Sequence, residues 1–397
     1  MKAPARRSVG VEEELLLIDE QRLPSATAPA VIAQAGAIVQ AELHREQVEI
    51  ASRPATDLDV VAADLLVRRH RLAEAAGRVG VRVAALATSP LPARPTVSPG
   101  DRYQRILTTY GLTAAQNLIC GGHVHVGIAS PAEGVAAVNG VQPWLSVLLA
   151  LSANSPFWDG TDTGYASFRR QLYERWPTTG PTGPFRDPAE YHGLIADLVA
   201  SGVLLDAGMV SFDARLSAKY PTVEIRVADV GLEPDSAIVV AALGRALVDA
   251  AAGAAGNDRP WPVARPEMLR AAAWQASRYG LSGDLVDPLS GRRRPAADHL
   301  QHLVDRVRPA LVRHGDLDRV ETAVQNLLRH GTGAQRQRAV HARRGLLTDV
   351  VDAAVESAST PETPGPGPVP DRRPAYRVRS GPAGPGRHAP DGMAARK

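Results

Sequence analysis

Four short segments of the chain alternate between apolar and polar residues, which is the pattern of a β-strand with one buried face. They are residues 8–19, 46–52, 121–128 and 221–230. Because side chains point alternately to the two faces of a strand, residues two apart share a face. Each segment therefore predicts one mainly apolar face that packs on helices and one face that carries ionisable groups.

Longer segments repeat apolar residues every three to four positions, which predicts helices. We expect these over residues 57–79, 99–117, 132–152, 235–255, 266–278, 297–314, 316–330 and 335–354. The proline- and glycine-rich stretch 154–188 is predicted to be irregular, and such long loops are usually functional. Antiparallel strands with helices on one face indicate the α+β fold class.

Charge and composition narrow the class of protein. Of the 397 residues, 45 are Lys or Arg and 42 are Asp or Glu, and the excess of basic residues lies in the segment 358–397. That segment is rich in proline, glycine and arginine, so we predict a disordered tail behind a single catalytic domain of residues 1–357. The lone cysteine, Cys120, excludes an internal disulfide and a cysteine-rich metal cluster.

Several partners are not expected from the sequence. It contains no zinc finger, basic stripe or aromatic stacking motif, so nucleic acid is not an expected partner. The most apolar stretch, 238–255, is interrupted by Arg245 and Asp249, which is typical of a buried helix and not of a membrane span. Residues 1–10 lack the apolar stretch of a signal sequence, and we therefore predict a cytoplasmic protein.

The polar faces of the four predicted strands carry an unusual set of ionisable residues. They are Glu12 and Glu14, then Glu49, then His123 and His125, and finally Glu224 and Arg226. Glu13 is an exception, because it falls on the apolar side of its strand. Any of these residues alone would indicate a solvated side chain or an ordinary ion pair. Carboxylates clustered on one face usually surround a cation, and oxygen ligands with an imidazole favour Mg²⁺ or Mn²⁺ over zinc.

The chemistry that such a face suggests is phosphoryl transfer. The chain has no GxxxxGK[ST] loop, no GxGxxG after a strand and no GxSxG nucleophile motif. Carboxylates and an arginine without a glycine-rich loop fit a nucleotide whose phosphates are bound through bridging Mg²⁺. One alternative is a metal-dependent hydrolase of the amidohydrolase type, which also has a His-x-His strand but needs further histidines at later strand ends. Another is a non-catalytic binding module.

Five segments in this order resemble the carboxylate–amine ligase family, also called type 2 glutamate–cysteine ligase: GVEEELLLID, CGGHVHVGI, NSPFWDGTDTGYASFRRQLYERWP, PTVEIRVADV and GTGAQRQR. The resemblance runs from about residue 8 to about residue 349. It implies a glutamine-synthetase-like fold, in which an antiparallel sheet forms a funnel with helices outside. It also implies ATP-dependent amide formation, in which the γ-carboxylate of glutamate is phosphorylated and cysteine or another amine then displaces phosphate.

The resemblance also implies roles for individual residues. The implied metal ligands are Glu12, Glu14, Glu49, His123 and Glu224. Glu224 and Arg226 are the implied catalytic residues, with the arginine stabilising the phosphate. The substrate-binding candidates are His125, Tyr165, Arg169, Arg215 and Ser217. The expected cofactors are ATP and Mg²⁺, with Mn²⁺ as its substitute, and the expected partners are small-molecule substrates and a second copy in a homodimer.

The sequence departs from the family pattern at two places. Residues 87–90 read Ala-Thr-Ser-Pro where members of the family often have a histidine, and residues 213–217 lack a proline of the family pattern. Neither departure falls on the predicted metal ligands. Both therefore bear on the identity of the amine acceptor more than on the type of reaction.

Overall fold

The computed structural model describes residues 6–254 and 262–358, so almost all of the predicted tail lies outside the described residues. In these ranges the strands are β1 (Val9–Ile18), β2 (Gln40–Ala41), β3 (Gln47–Ala51), β4 (Arg82–Ala84), β5 (Gly121–Gly127), β6 (Phe157–Trp158), β7 (Thr161–Asp162), β8 (Ala214–Leu216), β9 (Thr222–Asp229), β10 (Asp284–Val286) and β11 (Arg293–Pro295). The helices are α1 (Ala28–Ala35), α2 (Leu58–Arg78), α3 (Asp101–Tyr110), α4 (Leu112–Gln116), α5 (Pro131–Val141), α6 (Leu145–Ser152), α7 (Phe168–Tyr173), α8 (Pro188–Ala200), α9 (Pro234–Ala254), α10 (Pro266–Tyr279), α11 (Ala296–His314), α12 (Leu317–His330), α13 (Gly333–Arg344) and α14 (Leu347–Ser357).

One seven-stranded sheet organises the fold. Its strands follow the order β2-β3-β1-β5-β9-β8, and β4 pairs with the end of β1. All of these pairings are antiparallel. The four strands that the alternation predicts are β1, β3, β5 and β9, and they are direct neighbours in the middle of this sheet. The prediction of an antiparallel sheet in an α+β fold is therefore confirmed.

The apolar face of the sheet forms the main hydrophobic core with the helices. Val11 and Leu15 of β1, Val124 of β5 and Ile225 of β9 are at most 1% exposed. Helices α2, α6 and α9 pack against these strands. Burial of each such side chain contributes about 1.5–3 kcal/mol relative to leaving it exposed. One face of every central strand is therefore committed to the core, and the opposite face remains for polar side chains.

Two apolar segments are long enough to cross a membrane by length and composition, namely Pro131–Ser152 and Pro234–Ala254. The most apolar stretch of the first is 89% buried in the fold, and that of the second is 72% buried. Both segments pack around the sheet and contribute to the same hydrophobic cluster. Their hydrophobicity is therefore accounted for by the protein core.

Three predicted helices are interrupted where the local backbone requires it. The predicted helix 99–117 breaks at Gly111, whose φ of 54° is unfavourable for other residues, and 335–354 breaks at Gly345, with φ 73°. The predicted helix 132–152 contains a 3₁₀ turn at Gln142–Trp144. The stretch 154–188, predicted to be irregular, contains β6, β7 and the short helix α7. Helices α1 and α8 were not predicted.

The exception in β1, Glu13, forms a fully buried ion pair. Its carboxylate accepts two hydrogen bonds from Arg69 of α2, with Nη2–Oε1 2.6 Å and Nε–Oε2 2.7 Å. Arg69 is 1% exposed and also donates to the backbone carbonyls of Gly231, Leu232 and Ala358. A single side chain therefore connects β1, the turn after β9 and the end of α14.

We expect the substitution Glu13→Gln to destabilise the protein by about 3–5 kcal/mol, because it leaves the buried Arg69 guanidinium without its counter-charge. Urea denaturation measures this loss. The control is Arg53→Ala, which removes one of the two arginine partners of Asp64 and changes a side chain that is 77% exposed; it should cost at most about 1 kcal/mol. Equal losses in the two variants would contradict the assigned role of the buried pair.

Candidate active site

The register of the sheet brings distant ionisable residues onto one face. Three pairs lie directly opposite each other: Glu14 and Glu49, Glu12 and His123, and His125 and Glu224. Residues directly opposite in an antiparallel pair point to the same side and lie close together. Side chains more than 200 positions apart in the chain therefore converge on the polar face of the sheet, as the alternation predicts.

Three groups of these side chains bring their ligand atoms within 4.8 Å of one another. The groups are Glu12, Glu49 and His123; Glu12, His125 and Glu224; and Glu14, Glu42 and Glu49. Glu12 and Glu49 each belong to two groups, so the groups are contiguous. Carboxylate oxygens supplemented by imidazole suit Mg²⁺ and Mn²⁺. The arrangement can therefore hold more than one divalent cation, and every implied metal ligand lies in it.

Glu42 is a member of this cluster that the sequence analysis missed. It follows β2, whose Gln40 lies opposite Glu49 of β3. Glu42 comes two residues after Gln40, which continues the alternation toward the polar face. A strand of two residues is too short for a visible pattern. The only available signal was an acidic residue a few positions before a predicted strand.

The carboxylates at the β3 side of the cluster repel one another. Burial and the charge of Glu14 raise the pKa of Glu42 to about 7. Burial and the charges of Glu42, Glu12 and Glu14 raise the pKa of Glu49 well above its usual range. Such shifts indicate that the ionised cluster is costly without a cation. The donor set therefore fits a divalent cation in this region.

The carboxylates at the β5 and β9 side are compensated by protein groups. Burial opposes ionisation of Glu12, but the adjacent imidazoles of His123 and His125 hold its pKa below the usual range. Burial likewise opposes ionisation of Glu224, but the charges of Arg226 and Arg215 hold its pKa below the usual range. The polar face thus has a purely acidic part and a part in which basic side chains balance the acids.

Two arginines share the Glu224 carboxylate. Arg215 of β8 donates to both oxygens, with Nε–Oε2 2.7 Å and Nη2–Oε1 3.1 Å. Arg226 contacts Oε1 of the same carboxylate and donates from Nε to the hydroxyl of Tyr173, at 3.1 Å. Arg226 is thereby oriented on both sides. Its guanidinium is therefore held in a defined position at the polar face.

The remaining substrate-binding candidates fall into two sets. His125 lies 3.2 Å from Glu12 (Nε2–Oε1), and Arg169 is buried against Gly121 on the edge of the cluster. Tyr165 instead stacks under Arg278, with 5.4 Å from the guanidinium carbon to the ring centre. The Ser217 hydroxyl accepts hydrogen bonds from the backbone N–H groups of the next turn, at 3.3 Å. Roles for all of these residues remain predictions.

A hydrolase of the amidohydrolase type would need further histidines at strand ends. Among the described residues, the later histidines lie on helices: His192, His299, His302, His314, His330 and His341. In the part of the chain that the structure describes, the polar face draws its other ligands from glutamates. The geometry therefore favours the phosphoryl-transfer interpretation.

Comparisons with known proteins identify the family of the chain. A family model described as "Glutamate-cysteine ligase family 2 (GCS2)" matches residues 8–357. A Frankia alni protein named "Putative glutamate--cysteine ligase 2-2" is 47% identical over 377 residues, covering 90% of this chain and 98% of that protein. A Streptomyces avermitilis protein named "Putative glutamate--cysteine ligase 2-1" is 48% identical over 362 residues, covering 88% of this chain and 98% of that protein.

A solved structure extends the comparison to the fold. The glutamate–cysteine ligase of Francisella tularensis, in complex with AMP, superposes with a TM-score of 0.66 and 13% identity. The match covers 90% of each chain. At this identity the likeness concerns the fold alone.

We expect the metal-free protein to lose stability as pH rises from about 4.5 through about 7. The raised pKa of Glu42 means that the folded protein retains a proton that the unfolded chain releases, and stability falls wherever the folded state binds more protons. Added Mg²⁺ should replace that proton and stabilise the protein more at pH 8 than at pH 5. Thermal unfolding at both pH values, with and without MgCl₂, measures these effects.

Glu42→Gln should reduce both the pH dependence and the Mg²⁺ effect. The matched control is Glu20→Gln, which neutralises an exposed acid outside the cluster and should leave both unchanged. Identical pH dependence in the wild type and in Glu42→Gln would show that Glu42 does not carry the shifted titration.

Proposed function

We propose that this protein joins the γ-carboxylate of L-glutamate to L-cysteine or another amine. The proposal proceeds from the finding that the chain belongs to glutamate–cysteine ligase family 2 and is an ATP-dependent ligase. The observation that carries the proposal is the convergence of acids, imidazoles and Arg226 on one sheet face. We further propose that the reaction passes through an acyl phosphate, with ATP as the phosphoryl donor.

The proposed route follows from the chemistry of carboxylates. A free carboxylate is a poor electrophile, so an amine does not displace its oxygen in water at a useful rate. In the first step a γ-carboxylate oxygen forms a bond to the γ-phosphorus of ATP while the bond to ADP breaks. In the second step the amine nitrogen attacks the acyl carbon, inorganic phosphate leaves with the bonding electron pair, and the nitrogen loses a proton.

The residues of the polar face have separate tasks in this route. Glu12, Glu14, Glu42, Glu49, His123 and Glu224 would hold the divalent cations. When bound, Mg²⁺ or Mn²⁺ neutralises phosphate oxygens and polarises the γ-phosphoryl group. The Arg226 guanidinium stabilises the negative charge that develops on the transferred phosphoryl group. Glu224 and Tyr173 hold that guanidinium in place, so little reorganisation is required during transfer.

The identity of the amine depends on segments that depart from the family pattern. The segment 87–90, which departs from the family pattern, contains Thr88 and Ser89, and both are buried. The Thr88 hydroxyl donates to the carbonyl of Phe157, at 2.7 Å. This contact fixes the segment against the stretch 154–188. The proposal therefore names cysteine as the reference amine and leaves other amines to the assay.

Phosphate release with ATP and Mg²⁺, measured across pairs of acids and amines, tests the function. We expect release above background only when glutamate and an accepted amine are both present. Mass spectrometry should then detect their condensation product, which weighs one water less than the two substrates together. Turnover without ATP would instead support the hydrolase, and binding without turnover would support the binding module.

The substitution Arg226→Lys should lower kcat by about 10²–10³-fold, because a point charge cannot reproduce the guanidinium fork at the transferred phosphoryl group. The Kd of ATP should change much less. The matched control is Arg308→Lys, in a partly exposed ion pair with Glu321 on neighbouring helices, which should leave both constants unchanged. A loss confined to ATP affinity would refute the proposed role of Arg226.

A further inference from the structure

Arg169 occupies an unusual position beside the metal-ligand cluster. It lies in α7, is 2% exposed, and its Nε has no hydrogen-bond partner among the described residues. A methyl group added at Gly121 would lie 2.8 Å from its guanidinium carbon and 3.0 Å from Nε2 of His123. The N–H of Gly121 donates to Glu14, at 2.6 Å. The guanidinium therefore lies over Gly121, which contacts the cluster, and its Nε–H group is available to donate a hydrogen bond.

The start of α7 is held by one buried carboxylate. Asp229, the last residue of β9 and the cross-strand partner of Gly121, is 2% exposed. It accepts hydrogen bonds from the N–H of Asn154, at 2.8 Å, and from the hydroxyls of Ser155 and Ser167, at 2.7 and 2.8 Å. Ser167 directly precedes α7. Asp229 thus fixes the backbone from which Arg169 projects.

A second connection leads from Asp229 to Arg169 itself. The Ser155 hydroxyl, which donates to Asp229, accepts a hydrogen bond from the backbone N–H of Arg169, at 3.0 Å. The Arg169 guanidinium is 4.0 Å from Asp229 (Nη1–Oδ1) and lies 5.2 Å from the ring centre of Tyr173. The carboxylate therefore attracts the guanidinium without using its hydrogen-bonding capacity.

We propose that Asp229 is a positioning residue that holds Arg169 over Gly121, where the guanidinium binds an oxyanion of the substrate. The proposal rests on the proposed function and extends it to a residue outside the metal cluster. The group that Arg169 binds is a carboxylate or a phosphoryl group, since the oxygens of both match the guanidinium fork. The amino acid and ATP are the two sources of such a group.

The cost of placing a carboxylate at this position supports a functional role. Burial raises the pKa of Asp229, which means that the ionised form is disfavoured there. A neutral side chain of similar size would fill the space between β9 and α7 at lower cost. The need to accept three hydrogen bonds and to attract Arg169 explains why an ionised carboxylate occupies this position.

Asp229→Asn tests the proposal, because it keeps the size of the side chain but removes its charge and one acceptor. We expect kcat/KM to fall about tenfold to a hundredfold, since a displacement of about 1 Å can have an effect of this size. A raised KM for glutamate would identify the amino-acid carboxylate as the bound group. A lowered kcat, or a raised KM for ATP, would identify the phosphoryl group.

The matched control is Asp316→Asn. Asp316 is also buried and pairs with a buried arginine, Arg245, but it lies between α11 and α12. We expect it to lower stability and leave KM unchanged. If Asp229→Asn behaves in the same way, its role is structural and the proposal is overturned. Absence of product with the wild type would contradict the proposed function instead, so the two failures are distinguishable.

A second pair of variants decides the matter if Asp229→Asn does not fold. Ser155→Ala removes only the hydroxyl that connects Asp229 to the Arg169 N–H. We expect it to lower kcat/KM through the same individual constant, kcat or KM, that Asp229→Asn changes. Ser152→Ala removes a hydroxyl that bonds within α6 and should have no kinetic effect. Arg169→Lys combined with Ser155→Ala should lose less than the two separate effects together. Full additivity would show that Ser155 does not act through Arg169.

Discussion

The structure depends on how β1 accommodates three consecutive carboxylates. Alternation sends Glu12 and Glu14 to one face of the sheet and Glu13 to the other. Glu13 is compatible with the apolar core only because Arg69 accompanies it and binds both of its oxygens. A shift of the strand by one residue would place two acids in the core and one outside. The Glu13–Arg69 pair therefore stabilises the one register in which the candidate site exists.

The polar face divides its charges in a way that suits a polyanionic substrate. At the β3 side the acids raise one another's pKa, and a cation is the natural means of compensation. At the β9 side Glu224 is bound by two arginines, one of which is oriented further by Tyr173. In the proposed reaction, a phosphate chain bound through cations at one part of this face would meet a guanidinium at another. The electrostatic arrangement thus supports transfer of a phosphoryl group across the face.

The sequence was sufficient to predict those elements and site residues whose pattern is long and local. Alternation over five or more residues predicted β1, β3, β5 and β9 and placed Glu12, Glu49, His123 and Glu224 on one face. It failed for Glu42, because β2 has only two residues, and for α7, because six residues do not establish a helical period. The sequence contains glycines at positions 111 and 345, but a glycine inside a helical pattern does not by itself predict whether the helix continues or ends there. The contacts of Asp229 join residues more than 60 positions apart, which no local pattern encodes.

Helix α7 explains why an apparently irregular stretch matters to the site. Its Arg169 extends toward Gly121 of β5, and its Tyr173 binds Arg226 of β9. Arg170 of the same helix is also buried and contacts Asp213, whose backbone carbonyl accepts a hydrogen bond from the N–H of Arg226. Buried arginines are costly to desolvate, and each is tolerated here through an acid or ring that also contacts the central strands. The helix and the polar face are therefore interdependent, so that a displacement of α7 would move the guanidinium groups of Arg169 and Arg226 together.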